Sequence, residues 1–87
     1  MKHAVEHNQL KIRILKLLGS GDEDSDRVRE LLREVDGLNL SQRAVEMALL
    51  RYWRQGLLKR ERKGRRFRYV LTARGSARRD WLESQAP

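Results

Sequence analysis

Apolar side chains recur every three or four positions through the first half of the chain. In Leu10–Leu18, LKIRILKLL, the residues Leu10, Ile14, Leu17 and Leu18 make one stripe that Ile12 and Leu15 widen, while Lys11, Arg13 and Lys16 face the other way. That is the pattern of a helix with one buried face. Gly19-Ser20-Gly21 closes it. Val28, Leu31, Leu32 and Val35, at i, i+3, i+4 and i+7, predict a second helix over Ser25–Val35. The acidic run Asp22–Asp26 at its start complements the positive end of the helix dipole. Asp36-Gly37-Leu38-Asn39 is a turn, with Leu38 and Leu40 returning to the core. A third helix begins after Ser41, whose hydroxyl can accept from a free backbone N–H, and carries Val45, Ala48, Leu49 and Tyr52 on one stripe. Gly56 ends it, because glycine takes the left-handed conformation at low cost.

Beyond Gly56 the period changes from helical to alternating. Phe67, Tyr69 and Leu71 interleave with Arg66, Arg68 and Val70, as in a strand with one buried face, and Leu58 sits among Lys59, Arg60 and Arg62 in a preceding strand. Lys63-Gly64-Arg65 is the turn between them. Thr72 caps a closing helix that runs to about Ser84. Its predicted inner stripe is Ala73, Ala77 and Trp81 with Leu82 beside them, and Trp81 serves either as a lid over the first helix or as a dimer contact. The expected organisation is an N-terminal arm over 1–9, a domain over 10–84 and a short tail over 85–87. The expected fold is mainly α with a small β-hairpin, comprising a three-helix core with a helix-turn-helix, a two-stranded wing and a C-terminal helix.

Charge distribution changes this picture from a fold to a surface. The 87 residues carry a net charge of +8. Residues 1–40 hold seven basic and eight acidic side chains, net −1, and residues 41–87 hold thirteen and four, net +9. A basic half of this kind is the footprint of a nucleic-acid binder. Between Leu57 and Leu71 alone there are seven basic residues and one acid. Guarding a strand edge against aggregation needs only one or two charges.

On the third helix, at 100° per residue, Arg43, Met47, Leu50 and Arg54 lie opposite the buried stripe, flanked by Gln42, Glu46 and Arg51. With Ser41 these are the candidate DNA-binding residues of the helix. Arg43 has the fork that matches guanine O6 and N7, Gln42 can pair with adenine, Glu46 can accept from cytosine N4, and Met47 can touch a thymine methyl. Arg51 and Arg54 suit phosphates, which position the protein without reading sequence. In the wing the candidates are Lys59, Arg60, Arg62, Lys63, Gly64, Arg65, Arg66 and Arg68, with the tip residues Lys63, Arg65 and Arg66 reaching a minor groove or its flanking phosphates. Met47 and Leu50 are apolar and would equally suit a protein partner.

The segments LSQRAVEMALLRYWRQGLLKR and FRYVLTARG, at this spacing, resemble winged helix-turn-helix DNA-binding domains of bacterial and archaeal regulators of the PadR-, MarR- and ArsR-like kind. The resemblance extends over roughly Leu10–Leu82. It implies base-reading positions at Gln42, Arg43, Glu46 and Met47 and a wing tip at Lys63, Gly64, Arg65 and Arg66. It also implies a homodimer on half-sites one helical turn apart. The long dimerisation helix of PadR-like proteins is expected to be absent or reduced.

Other chemistry finds little footing. There is no cysteine, so no thiolate metal site or disulfide. His3 and His7 share a helical face but lack a third ligand nearby, and the acids at 22–26 lack the spacing of a calcium loop. No apolar run nears the ~18 residues of a membrane span, and no signal-peptide core is present. The chain reads as cytoplasmic and nucleoid-associated, not an enzyme, with no cofactor, metal or evident small-molecule ligand. Its expected role is a small transcriptional regulator bound to double-stranded DNA. The alternative is a winged-helix module contacting protein or RNA in a larger replication or transcription complex.

Overall fold

The computed structural model describes residues 2–19, 21 and 23–85. Helix α1 spans Lys2–Leu18, beginning eight residues ahead of the Leu10 start that the apolar stripe suggests. No glycine or proline interrupts that stretch, so the helix continues where its hydrophobic pattern has already stopped. Ile14, Leu15 and Leu18 are buried, and Leu10, Ile12 and Leu17 pack at the core edge. Helix α2 spans Ser25–Asp36, capped by Asp24, whose carboxylate accepts from the Arg27 N–H at 2.8 Å.

Helix α3 spans Gln42–Arg54, and the Ser41 hydroxyl accepts from the Ala44 N–H at 3.1 Å as expected of a cap. Val45, Ala48, Leu49 and Tyr52 are all buried. At its other end the Gly56 N–H donates to the Trp53 carbonyl and the Leu57 N–H to the Tyr52 carbonyl, both at 3.0 Å. With Gly56 at φ 78°, this is a Schellman closure. The residue after the glycine, Leu57, is delivered straight into the core.

Two long strands follow, separated from α2 by sequence but joined to it in space. Strand β1 is Glu23–Asp24, β2 is Leu58–Lys63 and β3 is Arg66–Leu71, in the antiparallel order β1-β3-β2. Leu58 pairs with Leu71, Arg60 with Tyr69 and Arg62 with Phe67, which places these six on one face. Lys63 pairs with Arg66 around a two-residue turn, where Gly64 adopts φ 64° and Arg65 does not. Glycine in the first central position is the signature of a type II′ hairpin. The third strand was not anticipated. Glu23 pairs with Tyr69 and Asp24 with Arg68, so the acidic lead into α2 is itself hydrogen-bonded to the middle of β3.

Helix α4 spans Ala73–Gln85. Thr72 caps it, accepting from the Gly75 N–H at 2.9 Å, while its hydroxyl donates toward the carbonyls of Gly56 (2.8 Å) and Leu57 (3.1 Å). One side chain therefore fastens the α3–β2 corner to the β3–α4 corner.

Five apolar residues leave the positions that periodicity predicts. The buried positions on α4 are Gly75 and Leu82, whereas Ala73 and Ala77 are exposed and Trp81 is 56% exposed. A hydropathy pattern undervalues glycine, and here Gly75 is the residue against which the helix seats. Val35 is 66% exposed because the last turn of α2 opens onto a groove between α1 and α2, lined by Ile12, Leu17 and Leu31. Phe67 is exposed at the distal end of the sheet's inner face, where α3 no longer covers it.

Candidate nucleic-acid interface

The surface centred on α3 has a middle and two flanks. Its middle, opposite the buried stripe, is Arg43, Met47 and Arg54, all exposed. One flank, formed by Glu46, Leu50 and Trp53, turns toward the wing. Between this flank and the sheet runs an open groove lined by Glu46, Met47, Leu50, Arg60, Arg65 and Phe67. The helix and the hairpin tip thus share one concave surface. The other flank, through Arg51 and Gln55, turns toward α1 and α4.

The predicted base-reading residues are not equally available. Gln42 is half-buried in the α2–α3 seam. Its amide donates to the Ser25 hydroxyl at 2.8 Å and to the Glu46 carboxylate at 3.2 Å, and Ser25 donates to the same carboxylate at 3.2 Å. Gln42 and Glu46 therefore close a triangle with Ser25, while the Gln42 carbonyl oxygen is buried without a hydrogen-bond partner. Ser41 is engaged as the cap. Arg43 and Met47 remain fully presented, Met47 at 50% exposure.

The wing cations divide in the same way. Arg60 lies over the Trp53 ring at 3.9 Å and the Phe67 ring at 4.2 Å, so its guanidinium is a rung between two aromatics. Each such contact is worth about 0.5–1 kcal/mol at an exposed site. Arg62 donates to the Gly64 carbonyl at 3.1 Å and stabilises the turn. Lys63 pairs with Glu61 at 3.3 Å. Arg68 faces Glu61 across one strand boundary and Asp24 across the other. Arg66 folds back to pair with Asp26 and, at 3.7 Å, with Asp24. The Asp26 hydrogen bond holds this guanidinium's pKa above its ordinary value. Among the described residues, Arg43, Arg51, Arg54, Lys59 and Arg65 are the candidate cations with no ion pair, hydrogen bond or ring contact in the side chain.

The sequence reading missed Asp24 and Asp26 as partners of the wing, and Trp53 with Phe67 as the platform for Arg60. The acids follow one another at the start of a helix, so dipole complementarity explains them locally. Only the β1–β3 pairing brings them beside a side chain 40 positions away. Among the described residues no group of three His, Cys, Asp or Glu side chains is arranged to hold a metal. The His3–His7 pair lies outside the residues whose side chains are described. No helix among the described residues is long and apolar enough to cross a membrane.

Three helices, a capped fourth and a basic hairpin beside the exposed third helix define a winged helix-turn-helix domain. Solved structures share the arrangement. The complex structure of hsRosR-S1 is similar with a TM-score of 0.77 at 24% identity, covering 85% of this chain and 68% of that one. Bacillus subtilis PadR in complex with operator DNA is similar with a TM-score of 0.73 at 23% identity, over 90% of this chain. The chain spans 48% of the length of PadR. The profile of the PaaX-like protein family matches residues 8–75, and the chain belongs to that family. No curated protein matches it.

Proposed function

We propose that the chain binds double-stranded DNA, with α3 in the major groove and the hairpin tip on the flanking backbone or minor groove, and that it acts as a small non-catalytic transcriptional regulator. The observation that carries this reading is the shared surface of α3 and the wing, on which Arg43, Arg54 and Arg65 stand without internal partners, while Lys59 lies on the sheet's other face. PadR, of like fold, is known in complex with operator DNA, which supports the same use here. A two-fold dimer on half-sites one turn apart belongs to this reading, as does residence in the compartment that holds the chromosome.

The residue roles follow from what each cation is already doing. Arg43 reads a base edge, because it is free and lies near the N-terminal end of α3. Arg54, Lys59 and Arg65 hold phosphates. Arg60 and Arg62 keep the wing in shape, and Gln42 and Glu46 brace α3 against α2. Arg66 reaches DNA only by exchanging Asp26 for a phosphate.

Selection of duplexes from a random pool tests the reading. Enrichment of a near-palindrome is expected, and a flat outcome together with no duplex affinity above that of an unrelated basic protein would refute it. In the same assay Arg65→Ala should weaken all duplexes alike, whereas Arg43→Ala should blunt preference at one base position by roughly 1–3 kcal/mol. A second reading, a module contacting protein or RNA, draws on Met47, Leu50 and Phe67 in the α3–wing groove. For a protein partner it predicts little salt dependence of the interaction, where DNA binding loses affinity steeply as salt rises, and an RNA partner is told apart by competition with duplex DNA.

A further inference from the structure

On the flank of α3 away from the wing, three cations from three elements converge. Lys11 of α1 donates to the Gln55 side chain at 3.2 Å and lies over the Tyr52 ring at 5.4 Å from its centroid. Arg51 is one helical turn before Gln55, on the same flank. Arg78 of α4 lies against the Trp81 ring at 5.8 Å. Burial first, and then the fields of Arg78 and Arg51, hold the Lys11 ammonium below its ordinary pKa, so Lys11 stands within the fields of both guanidinium groups.

No carboxylate among the described residues pairs with any of the three. The acids of α4 are committed elsewhere: Asp80 to Arg79, and Glu83 to Lys16 and Arg79. Three like charges gathered without a counter-charge cost folding free energy, and such a local conflict is characteristic of a surface whose counter-ion comes from outside. The setting is also suited to an oxyanion, because two of the three are planar guanidinium forks.

We propose that Lys11, Arg51 and Arg78 form a second phosphate-binding site, which takes the backbone strand on the side of α3 opposite the wing. This rests on the DNA-binding reading and extends it to residues of α1 and α4. A helix with its side chains is about 10–12 Å across and fills a major groove about 12 Å wide. Phosphates therefore rise on both of its sides. The wing grips one wall and the Lys11–Arg51–Arg78 site grips the other, so α3 is held from both sides and its roll in the groove is fixed.

The test uses the full chain and a labelled mixed-sequence duplex, with affinity followed from about 50 to about 200 mM salt. Lys11→Gln with Arg78→Gln removes two cations that lie outside α3 and the wing. The slope of log affinity against log salt should become shallower by roughly 0.9 per lost contact. Arg78→Gln alone, at an exposed position, should remove one such increment and guards against misfolding of the double variant. Arg13→Gln serves as a charge-matched control, since Arg13 pairs with Asp36 on the α1–α2 side, and it should leave the slope unchanged. Wild-type binding with an unaltered slope in Arg78→Gln and the double variant overturns this site and leaves the DNA reading standing. An equal loss in Arg13→Gln overturns it too, by reducing the effect to net charge. Absence of duplex binding by the wild type overturns both.

Discussion

Tyr52 shows how a single side chain can serve packing at some cost to polarity. Its ring is completely buried in the core beneath Lys11, and its hydroxyl has no hydrogen-bond partner. A buried hydroxyl left unpaired costs about 1–3 kcal/mol. Tyr52→Phe should therefore leave stability unchanged or raise it by about 1 kcal/mol in urea denaturation near neutral pH. Burial pushes the phenol up to about 12, against a smaller opposing pull from Arg51. The folded state thus holds this proton more tightly than the unfolded chain, whose phenol has a pKa of about 10. The resulting contribution is fully present below about pH 10 and lost as the pH rises toward 12. Comparing the alkaline unfolding of wild type and Tyr52→Phe isolates it, and the variant should show the flatter dependence over that interval.

At the scale of elements, the junction of α4 with β2 depends on an absent side chain. A Cβ built on Gly75 would lie 2.0 Å from the Leu57 carbonyl oxygen and 3.0 Å from Leu71 Cδ2. Gly75→Ala must push α4 off the sheet, so a loss of about 1–3 kcal/mol or more is expected. A thermal melt that does not move would contradict the close seating. The same junction explains what was readable beforehand. Helix α3 and the hairpin announce themselves through Ser41, Gly56, Gly64 and two clean periodicities, all of them local chemistry. The inner face of α4 does not, because the residue that seats it is a glycine and the tryptophan beside it faces solvent. Strand β1 is also silent. Two charged residues have no alternation to detect, and their strand character comes wholly from pairing with β3. The candidate site divides along the same line. Exposure of Arg43, Met47 and Arg54 follows from helical rotation alone, whereas Gln42, Glu46 and Arg66 are occupied by partners 17 to 40 positions distant.

Over the whole molecule, the acidic and basic halves of the sequence do not stay apart. The N-terminal half sends Asp24 and Asp26 onto the cationic face and neutralises part of it at Arg66. A duplex must displace those carboxylates or bind beside them. Asp26→Asn leaves the Asp24 cap of α2 intact while loosening the Arg66 contact, so it should strengthen binding to every duplex and steepen the salt response by up to roughly one phosphate contact. An unchanged affinity would mean that Arg66 stays out of reach of the backbone even when released.

The pairing of β1 with β3 carries a mechanical consequence. It reaches only Tyr69 and Arg68, so the sheet is three strands wide at the middle of β3 and two strands wide from Phe67 outward. The hairpin is then a short cantilever with a clamped base. Bending is confined to the segment beyond the clamp, and the arc swept by Arg65 is correspondingly small. Approaching a curved or widened groove would have to be accommodated by deformation of the duplex rather than by swinging of the arm.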